Sequence, residues 1–122
     1  MKSGAAEPIL DAMAALPNRE RVVFDIRKLE DYCLDPNHPR GRHKARVFRD
    51  ALGIGKGEAV WLRDALLAAT DGDAEEMGRD GYGTSWRLDV PLARHGKQAV
   101  VRSIWMVRTS EDALRFVTCW VL

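Results

Sequence analysis

Two of the three histidines, His38 and His43, sit inside a run of positive charge, D-P-N-H-P-R-G-R-H-K-A-R-V-F-R-D-A-L-G, from Asp35 to Gly53. Between Pro36 and Arg49 this run holds Arg40, Arg42, Lys44, Arg46 and Arg49 and no acid. Such a set suits phosphate chemistry. RNA is cleaved without a metal when its own 2′-hydroxyl attacks the adjacent phosphorus, and the protein then supplies a proton acceptor, a proton donor and cations for the charged transition state. In that reading His38 is the acid or base, Lys44 and Arg42 hold the scissile phosphate, and Arg40 and His43 add contacts to the RNA. The plainer readings stand beside it: a basic run is often a solvated face, and His38, between Asn37 and Pro39, has an equal claim to hydrogen bonding a loop together.

Other candidates lie late in the chain. Arg102 interrupts an apolar strand beside Ser103, and Thr118 interrupts another, so each is either satisfied locally or opens onto a cleft. Arg102 has an ion pair with Asp89 as its structural alternative, and Thr118 has plain β-propensity. Tyr82 follows a glycine-rich stretch and is placed to line a sheet rim. His95, in Arg94-His95-Gly96, reads as a turn residue. Cys33 and Cys119 lack C-x-x-C spacing and histidine partners, so we expect no metal and no cofactor, and read both as buried thiols of a reducing compartment. No G-x-S-x-G or Walker sequence is present, and G-I-G-K-G at Gly53 to Gly57 reads as a connector. The tryptophans at 61, 86, 105 and 120 are spaced as core residues, although one exposed ring would revive base stacking.

The elements that must position these groups follow from hydrophobic period and turn residues. Ile9, Leu10, Met13, Ala14 and Leu16 predict a first amphipathic helix ending at Pro17-Asn18. A strand over Arg21 to Arg27 follows, then a helical turn from Leu29 to Leu34 stopped by Asp35-Pro36. Ala45, Val47, Phe48, Ala51 and Leu52 predict a helix from Arg42 to Gly53, with cations in a first turn where the helix dipole favours acids. An anion bound there would resolve that conflict. A further helix runs from Glu58 to Ala69, and the acidic stretch holding Asp71, Asp73, Glu75, Glu76 and Asp80 reads as a loop: lid, partner contact or solvated linker. Strands over Thr84 to Leu92, Gln98 to Arg108 and Leu114 to Leu122 form a meander, the last two apolar on both faces and therefore expected to be covered on each side. The fold class is α+β, with N-terminal helices packed on a twisted antiparallel sheet that ends in a C-terminal three-stranded meander.

With 122 residues and a formal net charge of +1, one domain is expected and any nucleic-acid binding must be local rather than global. The N-terminus has no signal-like apolar run, and no segment reaches membrane-spanning length, so a cytoplasmic protein without membrane contact is the expectation.

The stretch K-L-E-D-Y-C-L-D-P-N-H-P-R-G-R-H-K-A-R-V-F, from Lys28, resembles the signature K-L-x-x-Y-x-L-x-P-x-H-P-x-G-x-x-K-A-x-x-F of an uncharacterised bacterial domain family. Its members occur as standalone proteins and as C-terminal tips of contact-dependent and other polymorphic toxins. G-Y-G-T-S-W-R-L-D-V-P-L, V-R-S-I-W-M-V and L-R-F-V-T-C-W are similar to the family's later strands, so the resemblance covers residues 28–122 and leaves the helix within 1–20 outside. The toxin tips are similar in layout to the barnase, EndoU, colicin and RelE ribonucleases, an analogy of fold that does not fix function. By position the resemblance selects His38, Lys44, Arg102 and Thr118 as catalytic; Ser103 stands where threonine is usual, keeping the hydroxyl. It implies a metal-independent endoribonuclease toxin of a toxin–antitoxin or toxin–immunity pair, cutting tRNA or mRNA and paired with a cognate antitoxin or immunity protein. Two other readings remain: a non-catalytic immunity or adaptor module gripping an acidic partner, and a homo-oligomer joined by basic and acidic regions.

Overall fold

A computed structural model describes residues 13–122. Its framework is a six-stranded sheet with few helices, built from β1 (Met13–Ala15), β2 (Val22–Val23), β3 (Asp73–Arg79), β4 (Gly83–Arg94), β5 (Lys97–Arg108) and β6 (Leu114–Val121). The strand order is β1-β3-β4-β5-β6-β2. The helices are α1 (Arg42–Leu52) and α2 (Ala59–Ala68), preceded by a π-helical turn at Leu29–Cys33. The class is therefore α+β, as the element pattern requires.

The meander is the strongest part of that pattern. β4 and β5 pair without interruption from Gly83↔Arg108 to Arg94↔Lys97. Their two-residue loop has His95 at φ 49° and Gly96 at φ 82°, the left-handed pair that matches strand twist in a tight hairpin. Val101, Ser103 and Trp105 of β5 are buried beneath the helices with Phe48, Leu62 and Leu66. On the reverse face Arg102, Ile104 and Met106 are only half-buried. The expectation that β5 and β6 are covered on both sides is thus corrected: the helices cover one face, and cross-strand neighbours shield the other.

Three more readings change. Met13–Ala15 is an edge strand on β3 rather than the end of a helix, and the rest of the expected first helix lies outside the described residues. The acidic loop is largely a strand: Asp73–Arg79 pairs with β4, where Glu75 meets Arg87, and it bulges between Glu76 and Gly78. Cross-strand pairing offsets the poor β-propensity of those acids. The sheet is also not wholly antiparallel, because β2 runs parallel to β6. β2 is short since Asp25 accepts the backbone N–H of Arg27, a local turn that competes with the ladder.

α1 follows the sequence pattern. Ala45, Phe48 and Leu52 bury one stripe, and Gly53 at φ 68° ends the helix by donating its N–H to the Arg49 carbonyl. Among the described residues no helix is long and apolar enough to cross a membrane.

Candidate functional site

Only the first two residues of β6, Leu114 and Arg115, pair with β2, so the strand's later half has β5 on one side and meets the π-helical turn and α1 elsewhere. A register shift separates the Trp105↔Phe116 pair from Ile104↔Thr118, leaving Val117 as the extra residue of a bulge. Bulges bend a strand and re-aim its side chains. Here Thr118 Oγ1 lies 3.2 Å from the Lys44 Nζ of α1 and 3.6 Å from Cys33 Sγ of the π-helical turn.

Lys44 is held from several sides. Its ammonium lies 4.7 Å from the centroid of the Tyr32 ring and 5.3 Å from that of Trp120, with no carboxylate partner among the described residues. Aromatic faces and a hydroxyl are weaker substitutes for a counter-ion. A thiolate is a better one. The Cys33 thiol is lowered to about 6, first by a hydrogen bond from the Cys119 side chain, against the opposing effect of burial, and further by the Cys119 backbone, Thr118 and the Lys44 charge. Cys119 moves the other way, pushed up mainly by burial and then by its bond to Cys33. Of the two thiols, Cys33 is thus the one whose ionised form is favoured, and the Lys44 charge is among the causes.

This has a consequence for stability. A depressed acid adds nothing below its folded pKa and adds progressively more as pH rises toward the ordinary thiol value, so the Cys33 contribution grows between pH 6 and 8. Cys119, being raised, weakens the fold only above the ordinary thiol range, outside that window. Urea unfolding under reductant is expected to give about 2 kcal/mol more stability at pH 8 than at pH 6, a gain that Cys33→Ser removes. An unchanged pH dependence in Cys33→Ser would show that Cys33 is a neutral thiol.

His38 has a different place. Its Nδ1 accepts the backbone N–H of Arg40 at 3.0 Å and of Gly41 at 2.9 Å, and its carbonyl accepts that of Arg42. Backbone N–H groups can only donate, so Nδ1 is unprotonated and the ring proton sits on Nε2. Acid–base turnover would require protonating Nδ1 and breaking both bonds. The ring instead caps the entry to α1 and packs edge-on against Tyr32, centroids 4.8 Å apart. It also uses two donors that an anion at the helix entry would have taken.

The remaining candidates separate. Arg102 pairs in register with Trp120, on the same sheet face as Thr118, but its guanidinium turns toward β4 and grips Asp89 at 2.8 and 2.9 Å. That bond holds the Asp89 carboxyl below its usual range. Ser103 is fully buried, donating to the Leu88 carbonyl and accepting from Trp105 Nε1, and offers a substrate no surface. Tyr82 is 80% exposed, but it stands beyond the Gly83↔Arg108 end of β4, away from the Ile104↔Thr118 pair.

Arg40, Arg42 and His43 do lie at the α1 entry with Lys44, and all three are exposed. Arg42, Arg46 and Arg49 stripe one flank of the helix and line, with Pro36 and Ala45, a groove of about 410 Å³. On the other flank His43, Lys44 and Val47 face Trp120 and Val121 across a groove of about 460 Å³. Arg46 reaches over the ridge between them, its Nη2 3.0 Å from His43 Nδ1. None of Arg40, Arg42, Lys44, Arg46 and Arg49 has an acidic partner among the described residues, whereas Arg21, Arg27, Arg63, Arg87, Arg102 and Arg115 all do. No three His, Cys, Asp or Glu side chains among the described residues converge as a metal site requires.

Sequence reasoning passed over Tyr32, Cys33 and Trp120 as site residues. Tyr32 was visible as the tyrosine of the K-L-x-x-Y stretch, and Cys119 and Trp120 as the neighbours of Thr118. No local signal could show that Cys33 meets Thr118.

No curated protein and no solved structure matches this chain. A family model matches residues 15–122, beginning ahead of the Lys28 where the motif starts. The match takes in the last residue of β1, the π-helical turn, α1 and the whole meander, so the frame that holds Lys44 against Thr118 lies within the shared domain. The chain belongs to the family described as a domain of unknown function, DUF6883.

Proposed function

We propose that the protein binds RNA along α1 and cleaves it without a metal, as the toxin of a toxin–antitoxin or toxin–immunity pair acting on tRNA or mRNA in the cytoplasm. The observation that carries this reading is the set of α1 cations without acidic partners among the described residues, beside a Lys44 held by Thr118. A concentration of cations on one helix is what a polyanion would neutralise. The resemblance of the His38–Lys44 stretch to toxin tips supports the same class.

In this reading Arg42 and Lys44 hold the non-bridging oxygens of the scissile phosphate. The 2′-oxygen–phosphorus bond forms, the bond to the 5′-oxygen breaks, and the products are a 2′,3′-cyclic phosphate and a 5′-hydroxyl. His43 takes the proton from the 2′-hydroxyl as the new bond forms and passes it to the departing 5′-oxygen. It is exposed and among the described residues its ring is tied by Arg46, a bond that costs little to break, whereas His38 is fixed by two backbone donors. His38 keeps the helix entry in shape. Arg102 stays with Asp89 unless substrate draws it away.

Purified protein incubated with tRNA in chelator is expected to yield fragments ending in 2′,3′-cyclic phosphate, and its induced expression is expected to arrest growth. RNA bound but left intact would favour the binding-module reading, for which the structural role of His38 argues. RNA neither bound nor cut would overturn the proposal.

A further inference from the structure

We infer that the groove between α1 and the end of β6 is a nucleobase subsite, and hence that the substrate is single-stranded RNA with an unstacked base beside the scissile phosphate. This rests on the reading of α1 as a phosphate-binding face, and specifies what lies next to that phosphate.

The groove, of about 460 Å³, is lined by His43, Lys44, Val47, Trp120 and Val121. Its floor is apolar while every titratable group on its lining is basic. Val47 is 44% exposed, an apolar side chain in the middle of an otherwise polar helix face. Helix stability gives no reason for it, because β-branched residues are indifferent helix formers and this one buries little. Trp120 is half-buried and presents an aromatic surface with the Lys44 ammonium 5.3 Å from its centroid. Of the other tryptophans, Trp105 is fully buried, Trp61 carries Arg94 at 5.4 Å, and Trp86 packs against the core from β4.

An aromatic ring, an aliphatic wall and a neighbouring cation make a place for one flat, uncharged ring attached to an anionic backbone. A nucleobase on RNA has that chemistry. The Arg42, Arg46 and Arg49 flank would hold the backbone on one side of the ridge while the base enters on the other, with the Arg46–His43 contact between them. Bases in a duplex are stacked and hidden, so only a single strand or loop can supply one.

The test uses a 2′-O-methyl uridine octamer, which cannot be cleaved, an abasic octamer with the same backbone, a 12-base-pair RNA duplex and inorganic tripolyphosphate. The uridine octamer is expected to quench tryptophan fluorescence and to bind about tenfold more tightly than the abasic strand. Trp120→Ala should remove that advantage, Trp120→Phe should retain most of the affinity but lose the quench, and the uncharged Val47→Ser, on the helix surface, should weaken the base-bearing octamer without changing the charge of the face. Tripolyphosphate binding should survive all three and fall in Arg42→Ala with Arg46→Ala. Equal binding of base-bearing and abasic strands, or preference for the duplex, would overturn the subsite while leaving the phosphate face standing. Failure of every probe to bind would overturn the phosphate face as well.

Discussion

Lys44→Ala is expected to lower RNA cleavage by about 100-fold or more in single-turnover assays while the protein remains folded. The size follows from what the ammonium does. A fixed cation aimed at charge that develops in the transition state accounts for roughly 10²–10³ in rate when removed alone. Lys44 is fixed from three directions, by the Thr118 hydroxyl at 3.2 Å and by the Tyr32 and Trp120 rings. In the proposed reaction it would meet the phosphate without a reorganisation cost. Arginine is not expected to rescue it. A planar guanidinium needs in-plane partners, and the site offers ring faces and a single hydroxyl to a compact ammonium. Thr118→Val should cause a smaller loss, because it removes the tether and leaves the charge. The same substitutions carry an independent readout: without Lys44 the Cys33 thiol loses a supporting cation, so its alkylation in mildly denaturing buffer should shift to higher pH. Full cleavage by Lys44→Ala would remove the basis for placing the reaction at this end of α1.

Gly41→Ala is expected to destabilise the fold by about 2–3 kcal/mol in chemical denaturation, the range of a well-packed site forced to accept extra atoms. A Cβ at this position would lie 2.1 Å from the Tyr32 carbonyl oxygen and 2.8 Å from its carbon. Those are backbone atoms, so nothing flexible can yield. The entry to α1 would have to lift from the π-helical turn, taking with it the two bonds from Arg40 and Gly41 to His38 and the Tyr32 contact with Lys44. Activity should fall with stability here, in contrast to Lys44→Ala. Gly57→Ala is the control, since a Cβ there meets nothing within 4 Å. Equal stability of the two variants would mean that the turn accommodates the change by moving, and that Gly41 does not set the docking of α1.

These expectations also mark where the sequence was legible. α1 was readable to its ends because its signals are local: the Ala45, Phe48 and Leu52 stripe, the prolines before it, and Gly53 after it. The β4–β5 hairpin was equally local, with alternating residues on both sides of His95-Gly96. β1 and β3 were not, because their residues become strand only through partners far along the chain; the strand read over Arg21 to Arg27 is present as Val22–Val23, but its parallel pairing with β6 had no local sign. Asp73 to Arg79 shows the limit: its acids oppose a strand until Arg87 and the rest of β4 lie beside them.

The same division runs through the site. The concentration of cations from Arg40 to Arg49, the helix that carries them and the punctuation by Pro36, Pro39 and Gly41 were determined by the sequence alone, since charge and backbone freedom belong to single residues. Tertiary structure decided what each group is free to do. It occupied His38 with two backbone donors, gave Arg102 to Asp89, sank Ser103 into the core, and set Cys33 and Thr118 against Lys44. The reason is that hydrogen-bond satisfaction and burial are properties of pairs, and most of these pairs join residues distant in sequence. The charge was written in the chain, and its availability was fixed by the fold.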